Sequence, residues 1–238
     1  MKQLLILVWS WAVDLFDDIF SESTILSLVG TSTLETLLMV FFSTLFAILI
    51  GFPLGVLLNV TNKYGISPKP AMNLVLSRII DVLRSFPFVI LMIVLLPLTR
   101  LILGTAIGTA ATIIPLSIAA APFVARITET ALNEVDAGVV QAARAMGSTN
   151  WQIIVKVLIP ESLPSVVSGI TLTVINLVSY SAMAGTLGGG GLGDLAIRYG
   201  YQRFRTDVMV ASVIVIIIMV ALIQFVGTKL TNHILSKR

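Results

Sequence analysis

Apolar residues in this chain run in long blocks rather than alternating with polar ones, and most charged residues sit between the blocks. A helix needs roughly 20 consecutive apolar residues to cross a hydrocarbon core about 30 Å thick. Five blocks meet that length, at about 36–60, 80–103, 106–125, 164–187 and 207–228. The first, TLLMVFFSTLFAILIGFPLGVLLNV, is uncharged throughout, and the last carries the β-branched centre VIVIIIMVALI. The pattern predicts an all-α integral membrane protein with five spans. One membrane domain covers 36–231, and a tail of 232–238 follows it. Pro53, Pro87 and Pro115 fall inside the first three blocks, where either packing or gating can use the kinks they introduce.

Two segments break the pattern. The first is the lead-in, residues 1–35, where KQLLILVWSWAVDLFDDIF is short of a span and is cut by Asp14, Asp17 and Asp18. Tryptophans beside acidic positions fit an arm lying in the membrane interface. A signal-like segment is the other reading, although no small-residue cleavage site follows the apolar run.

The second is the polar excursion 126–163. Residues 128–146 are rich in strong helix formers and contain no proline, so they predict a helix. Gly147 suits a left-handed stop. Ser148, Thr149 or Asn150 can then cap a second short helix through Lys156, which Pro160 is expected to end. Trp151, Ile154, Val155 and Leu158 share one face of that helix. Two bent helices with small residues at Ala142, Ala143 and Gly147 fit a groove on a partner. An amphipathic connector resting on the membrane surface explains the same composition.

Charge orients the chain. Charged residues make up only 11% of it against 57% hydrophobic, and soluble domains carry about a quarter charged. With the C-terminus in the cytoplasm, the inner segments hold ten of the 15 Lys and Arg residues and the outer segments five. Excess basic charge marks the cytoplasmic side, which predicts an N-out, C-in topology and a cytoplasmic excursion. Arg198, Arg203 and Arg205 are outer exceptions. A net charge of +3 gives no case for nucleic acid, and zero cysteines with one histidine leave little for thiolate metal sites, zinc or His-based hydrolysis. An intramembrane enzyme and a channel are the rival classes; the first lacks a base near its serines, and the second has no need of a groove-docking helix pair.

The spacing within the excursion resembles the EAA loop of the permease subunits of ATP-binding-cassette importers: Glu-Ala-Ala, three residues, Gly, nine residues, Ile-x-Leu-Pro. Here Gln141-Ala142-Ala143 is followed by Gly147 and then by Val157-Leu158-Ile159-Pro160. Gln141 replaces a charge with an amide, while Val157 and Ile159 keep apolar volume. The resemblance implies a type I importer permease fold and a cytoplasmic coupling helix seated on an ATPase subunit. The coupling residues it implies are Gln141, Ala142, Ala143, Arg144, Gly147, Trp151, Val157 and Pro160. It also implies a homodimer, two ATPase subunits, an extracytoplasmic substrate-binding lipoprotein and a bacterial plasma membrane location. ATP and magnesium would belong to the ATPase, since no G-x-x-x-x-G-K-[ST] phosphate loop occurs here. The chain itself would bind no cofactor or metal and catalyse no hydrolysis.

RSFPFVILMIVLLPLTR (84–100), APFVARITETAL (121–132) and SYSAMAGTLGGGGLGDLAIRYGYQRF (179–204) are similar to the methionine-uptake branch of that family. This implies D- or L-methionine as the solute; another amino acid, a quaternary amine or an organic anion is the alternative. In the fourth span, Asn176, Ser179, Tyr180, Ser181 and Met183 are pathway or gate candidates, with helix packing as the competing role. Gly189, Gly190, Arg198, Tyr201 and Arg203 are candidates for docking the binding protein, against a solvated loop or lipid headgroup contacts. Asp81 and Arg84, three residues apart, are expected to form a local ion pair that anchors the helix at the interface.

Overall fold

The computed structural model describes residues 23–237, so the arm at 1–22 lies outside the described residues. The described chain is helical, without strands. Helix α1, Ser23–Thr61, extends the first apolar block by more than a dozen residues toward the N-terminus. Residues 23–35, expected to belong to the arm, instead continue the first helix. Helices α2 (Pro70–Ser85) and α3 (Phe88–Leu103) meet at a 105° bend. Pro87 sits at that bend, because the residue before a proline is pushed out of the α region. Helix α4 (Thr109–Asn133) is followed by α5 (Ala137–Ala145) and by α6 (Asn150–Ile153), which runs through one wide π turn, Ile154–Leu158, into α7 (Ile159–Gly185). A short α8 (Gly191–Leu195) and a second π turn (Ala196–Tyr201) precede α9 (Thr206–Leu235). Four helices are long and apolar enough to cross a membrane, five spans if the bent α2–α3 pair counts as one.

Helix α1 lies closest to α4, and glycine sets the distance. A Cβ at Gly51 would overlap the Ala121 carbonyl oxygen, and one at Gly55 would overlap the Ala125 carbonyl oxygen. Without a hydrophobic drive between helices in lipid, small residues four apart let two backbones approach closely enough for dispersion to hold them. Around this contact Met39, Ala47, Leu116, Ala120, Val124, Leu177 and Val178 form the main core. Outward-facing leucine, isoleucine and phenylalanine dominate the remaining surface of α1, with Phe41, Leu49 and Leu34 more than half exposed. This surface is suited to lipid or to another apolar chain.

Helix α2 turns its polar side inward. Ser77 and Asp81 face Arg126 of α4, while Val75, Ile79 and Val82 are exposed. Arg126 bonds Asp81 at 2.7 Å and Glu129 at 2.6 Å and donates to Ser77. The expected Asp81–Arg84 pair is therefore corrected. Asp81 pairs across to α4, and the Arg84 guanidinium lies 4.8 Å from the centre of the Phe123 ring.

Candidate coupling surface and translocation face

The excursion folds differently from its expected two helices. Residues 128–133 belong to α4, which ends at Asn133, and the Asp136 carboxylate then accepts from the Gly138 N–H to cap α5. Gly147 adopts φ +81° after α5, and a Cβ there would meet nothing within 4 Å. Glycine is thus needed for its conformation, not its size. Thr149 caps the next helix: its hydroxyl accepts from the Gln152 N–H, and the Gln152 side chain accepts from the Thr149 N–H.

Pro160 was expected to end that helix, and it does not. The helix runs without a break from Asn150 to Gly185. Proline removes one hydrogen bond and crowds the carbonyl four residues earlier. The wide π turn at Ile154–Leu158 falls just before it, with the Ile159 N–H bonded to the Ile154 carbonyl. One extra residue in the turn absorbs the proline without stopping the helix.

The expected apolar face also divides. Leu158 packs inward with Leu132, Ala143 and Ile153. Trp151 is 72% exposed, and Met146, which the sequence reading passed over, is 80% exposed. Val139 and Val155 join them on the outer surface. Gln141, Ala142, Arg144, Gly147 and Trp151 are exposed, Val157 is half-buried and Ala143 is buried. Pro160 is exposed on the continuous helix. Arg144 donates to the Ile66 carbonyl at 2.9 Å and so ties α5 to the α1–α2 loop. Between them lies a cleft of about 440 Å³ lined by Asn59, Tyr64, Asn133, Gln141 and Arg144 among others. Tyr64 was invisible as a site residue because its loop carries no periodic signal, yet it is 89% exposed at the rim.

On α7, Leu172, Asn176, Ser179 and Met183 are exposed, as is Thr186 at its C-cap. They recur at spacings of four and three, which places them in one stripe along the helix. An asparagine amide facing hydrocarbon is costly, so such groups in a span turn to water or to another protein chain. Tyr180 and Ser181 lie off the stripe. The Tyr180 ring stacks on Phe88 with centroids 4.7 Å apart, and buried Ser181 donates to the Val178 carbonyl at 2.7 Å.

Beyond the other end of α7, the chain turns through Gly188, Gly190 and Gly191, all with φ near +80°. Gly189, a docking candidate, is buried against Thr112 and Ala184, and Gly190 is half-buried. Arg198, Tyr201 and Arg203 are exposed beyond the turn. Arg198 pairs with Asp194 at 2.7 Å, and Arg203 stacks over the Tyr199 ring at 4.5 Å. Phe204 follows with φ +58° and is 87% exposed.

A bundle of apolar helices, a glycine-bent excursion with exposed aromatic and amide groups, and a polar stripe along one span describe a membrane component of a transport system. Residues 51–237 match the family described as the binding-protein-dependent transport system inner membrane component, and the chain belongs to it. Among its relatives, the probable D-methionine transport system permease protein MetI of Pasteurella multocida is 52% identical over 206 residues, covering 87% of this chain and 95% of that protein. The methionine import system permease protein MetP of Bacillus subtilis is 46% identical over 182 residues, covering 76% and 82%. A crystal structure of the MetNI methionine ABC transporter in an inward-facing conformation contains a chain that is 43% identical. It superposes with a TM-score of 0.88 over 90% of this chain and 99% of that one.

Proposed function

We propose that the chain is the membrane-spanning permease subunit of an ATP-driven importer of methionine. It works as a homodimer with two ATPase subunits and an extracytoplasmic binding protein in a bacterial plasma membrane. The bent α2–α3 pair then serves as one of five spans, with the N-terminus outside and the C-terminus inside. The methionine assignment rests on the relatives named above, at 52% and 46% identity.

One geometric observation carries the mechanism. The exposed Trp151 and the exposed stripe Asn176–Ser179–Met183 lie on the same uninterrupted helix, Asn150–Gly185. At 1.5 Å per residue its 36 residues span about 54 Å. A displacement of the Trp151 end by a closing ATPase dimer therefore reaches the stripe through a single helix. Two copies facing each other through their stripes would enclose a water-filled path, and its access would alternate as ATP and loaded binding protein bias the same two-state element.

The test is capture of the ATPase subunit by the purified permease and by Gly147→Trp and Trp151→Ala variants. The left-handed backbone at Gly147 disfavours any side chain, and Trp151 is exposed enough to be truncated without loss of core. Both substitutions are expected to weaken association at least tenfold and to abolish ATP-driven uptake. Association and uptake that survive both would overturn the coupling assignment.

A further inference from the structure

Glu35 is the only charged residue of α1, and the structure gives it a specific partner. Its carboxylate accepts from the Gly191 N–H at 2.7 Å, and the neighbouring Thr36 hydroxyl accepts from the Leu192 N–H at 2.9 Å. Both amides belong to the first turn of α8, whose N–H groups have no partner inside the helix. The approach is close. A Cβ at Gly191 would lie 2.6 Å from the Thr36 hydroxyl oxygen and 2.7 Å from the Met39 methyl. Gly190 and Gly191 also hold φ near +80°, so glycine is required there on two counts.

The contact continues beyond α8. A Cβ at Gly193 would strike the backbone of Ala182, and one at Gly185 would strike the Asp194 amide. The last turn of α7, which carries the exposed Met183, therefore rests directly on α8 backbone, and α8 hangs from α1 through Glu35 and Thr36.

We propose that Glu35 and Thr36 are positioning residues that join α1 to the Gly188–Gly193 turn. Helix α1, the turn and the Met183 end of α7 then move as one body during transport. The half-buried Glu35 carboxylate makes a charge-assisted bond to the Gly191 amide, stronger than its neutral counterpart, which suits a joint that stays closed during transport. The proposal rests on the permease reading above for the motion it constrains.

The test compares wild type with Glu35→Ala and Thr36→Val, which remove the acceptors, and with Glu35→Gln and Thr36→Ser, which keep one. Each is assembled with the ATPase subunits in liposomes. Two quantities are read: methionine taken up per ATP hydrolysed, and amide exchange across residues 188–195 with and without trapped ATP. In wild type, exchange in this segment is expected to stay slow in both nucleotide states. Glu35→Ala and Thr36→Val should speed it at least tenfold and lower uptake per ATP several-fold while hydrolysis continues; the Gln and Ser variants should restore both. Wild-type exchange that rises when ATP is trapped overturns the joint, as does unchanged exchange in both acceptor-free variants. A wild type that hydrolyses ATP without taking up methionine defeats the solute assignment instead, and the exchange data still decide the joint. If Glu35→Ala fails to assemble, Thr36→Val decides, since it replaces a hydroxyl by a methyl of the same shape.

Discussion

Arg126 bonds two carboxylates and a hydroxyl at the junction of α2 and α4, with its side chain 22% exposed. Glu129, at 11%, is the more buried of its two acidic partners. Removing the cation strands a carboxylate in a poorly solvated place. Arg126→Met is expected to cost about 2–3 kcal/mol, below the roughly 3–5 kcal/mol of a fully buried pair because Asp81 is 46% exposed, seen as a lower unfolding temperature in detergent. Arg84→Met, which loses only a cation–π contact, should cost under about 1 kcal/mol. Local spacing offered Asp81 and Arg84 as a pair. It missed Arg126 because the polar side of α2 faces α4, and no distance along the sequence encodes that. Gly147 was legible for the opposite reason: its left-handed backbone is a local property with a local signal.

Among the elements, four long apolar helices could be read from block length alone, since it meets the width of the hydrocarbon core. The expected span 80–103 could not, because the chain bends by 105° at Pro87 and divides it between α2 and α3. Helix ends could not be read either. Helix α1 includes residues 23–35, where Ile25 packs on Leu195 and Val208 and Glu35 accepts from the Gly191 N–H, all partners far away in sequence. The α6–α7 junction misled the reading because a proline's ordinary effect is to stop a helix, whereas a π turn can carry one. Pro160→Ala restores the missing N–H and allows that turn to relax by one residue. The Asn150–Ile153 end would then rotate by about 100° relative to α7, swinging Trp151 from its present direction. ATPase capture is expected to fall about tenfold although the substitution favours helix. Unchanged capture would mean that the wide turn does not set the direction of the coupling surface.

At the scale of the whole molecule, the stripe on α7 is left uncovered by the other described helices. The candidates Asn176, Ser179 and Met183 were legible from their residue types. Their separation from Tyr180 and Ser181 was not, because it depends on which side of α7 the other helices cover. Asn176→Leu removes the amide from the stripe without touching a buried contact. Dimer formation and ATPase capture should stay within twofold of wild type while uptake falls at least fivefold; uptake at wild-type level would remove Asn176 from the pathway. The solute could be read only through likeness to relatives, since a stripe that mixes leucine and methionine with an amide and hydroxyls admits many small molecules. ATP-dependent uptake of labelled methionine into liposomes by the assembled permease, ATPase and binding protein therefore tests the central claim most directly. The account predicts uptake that unlabelled methionine suppresses at least tenfold more effectively than other amino acids do. Uptake that methionine fails to suppress, or no ATP-dependent uptake at all, would contradict it.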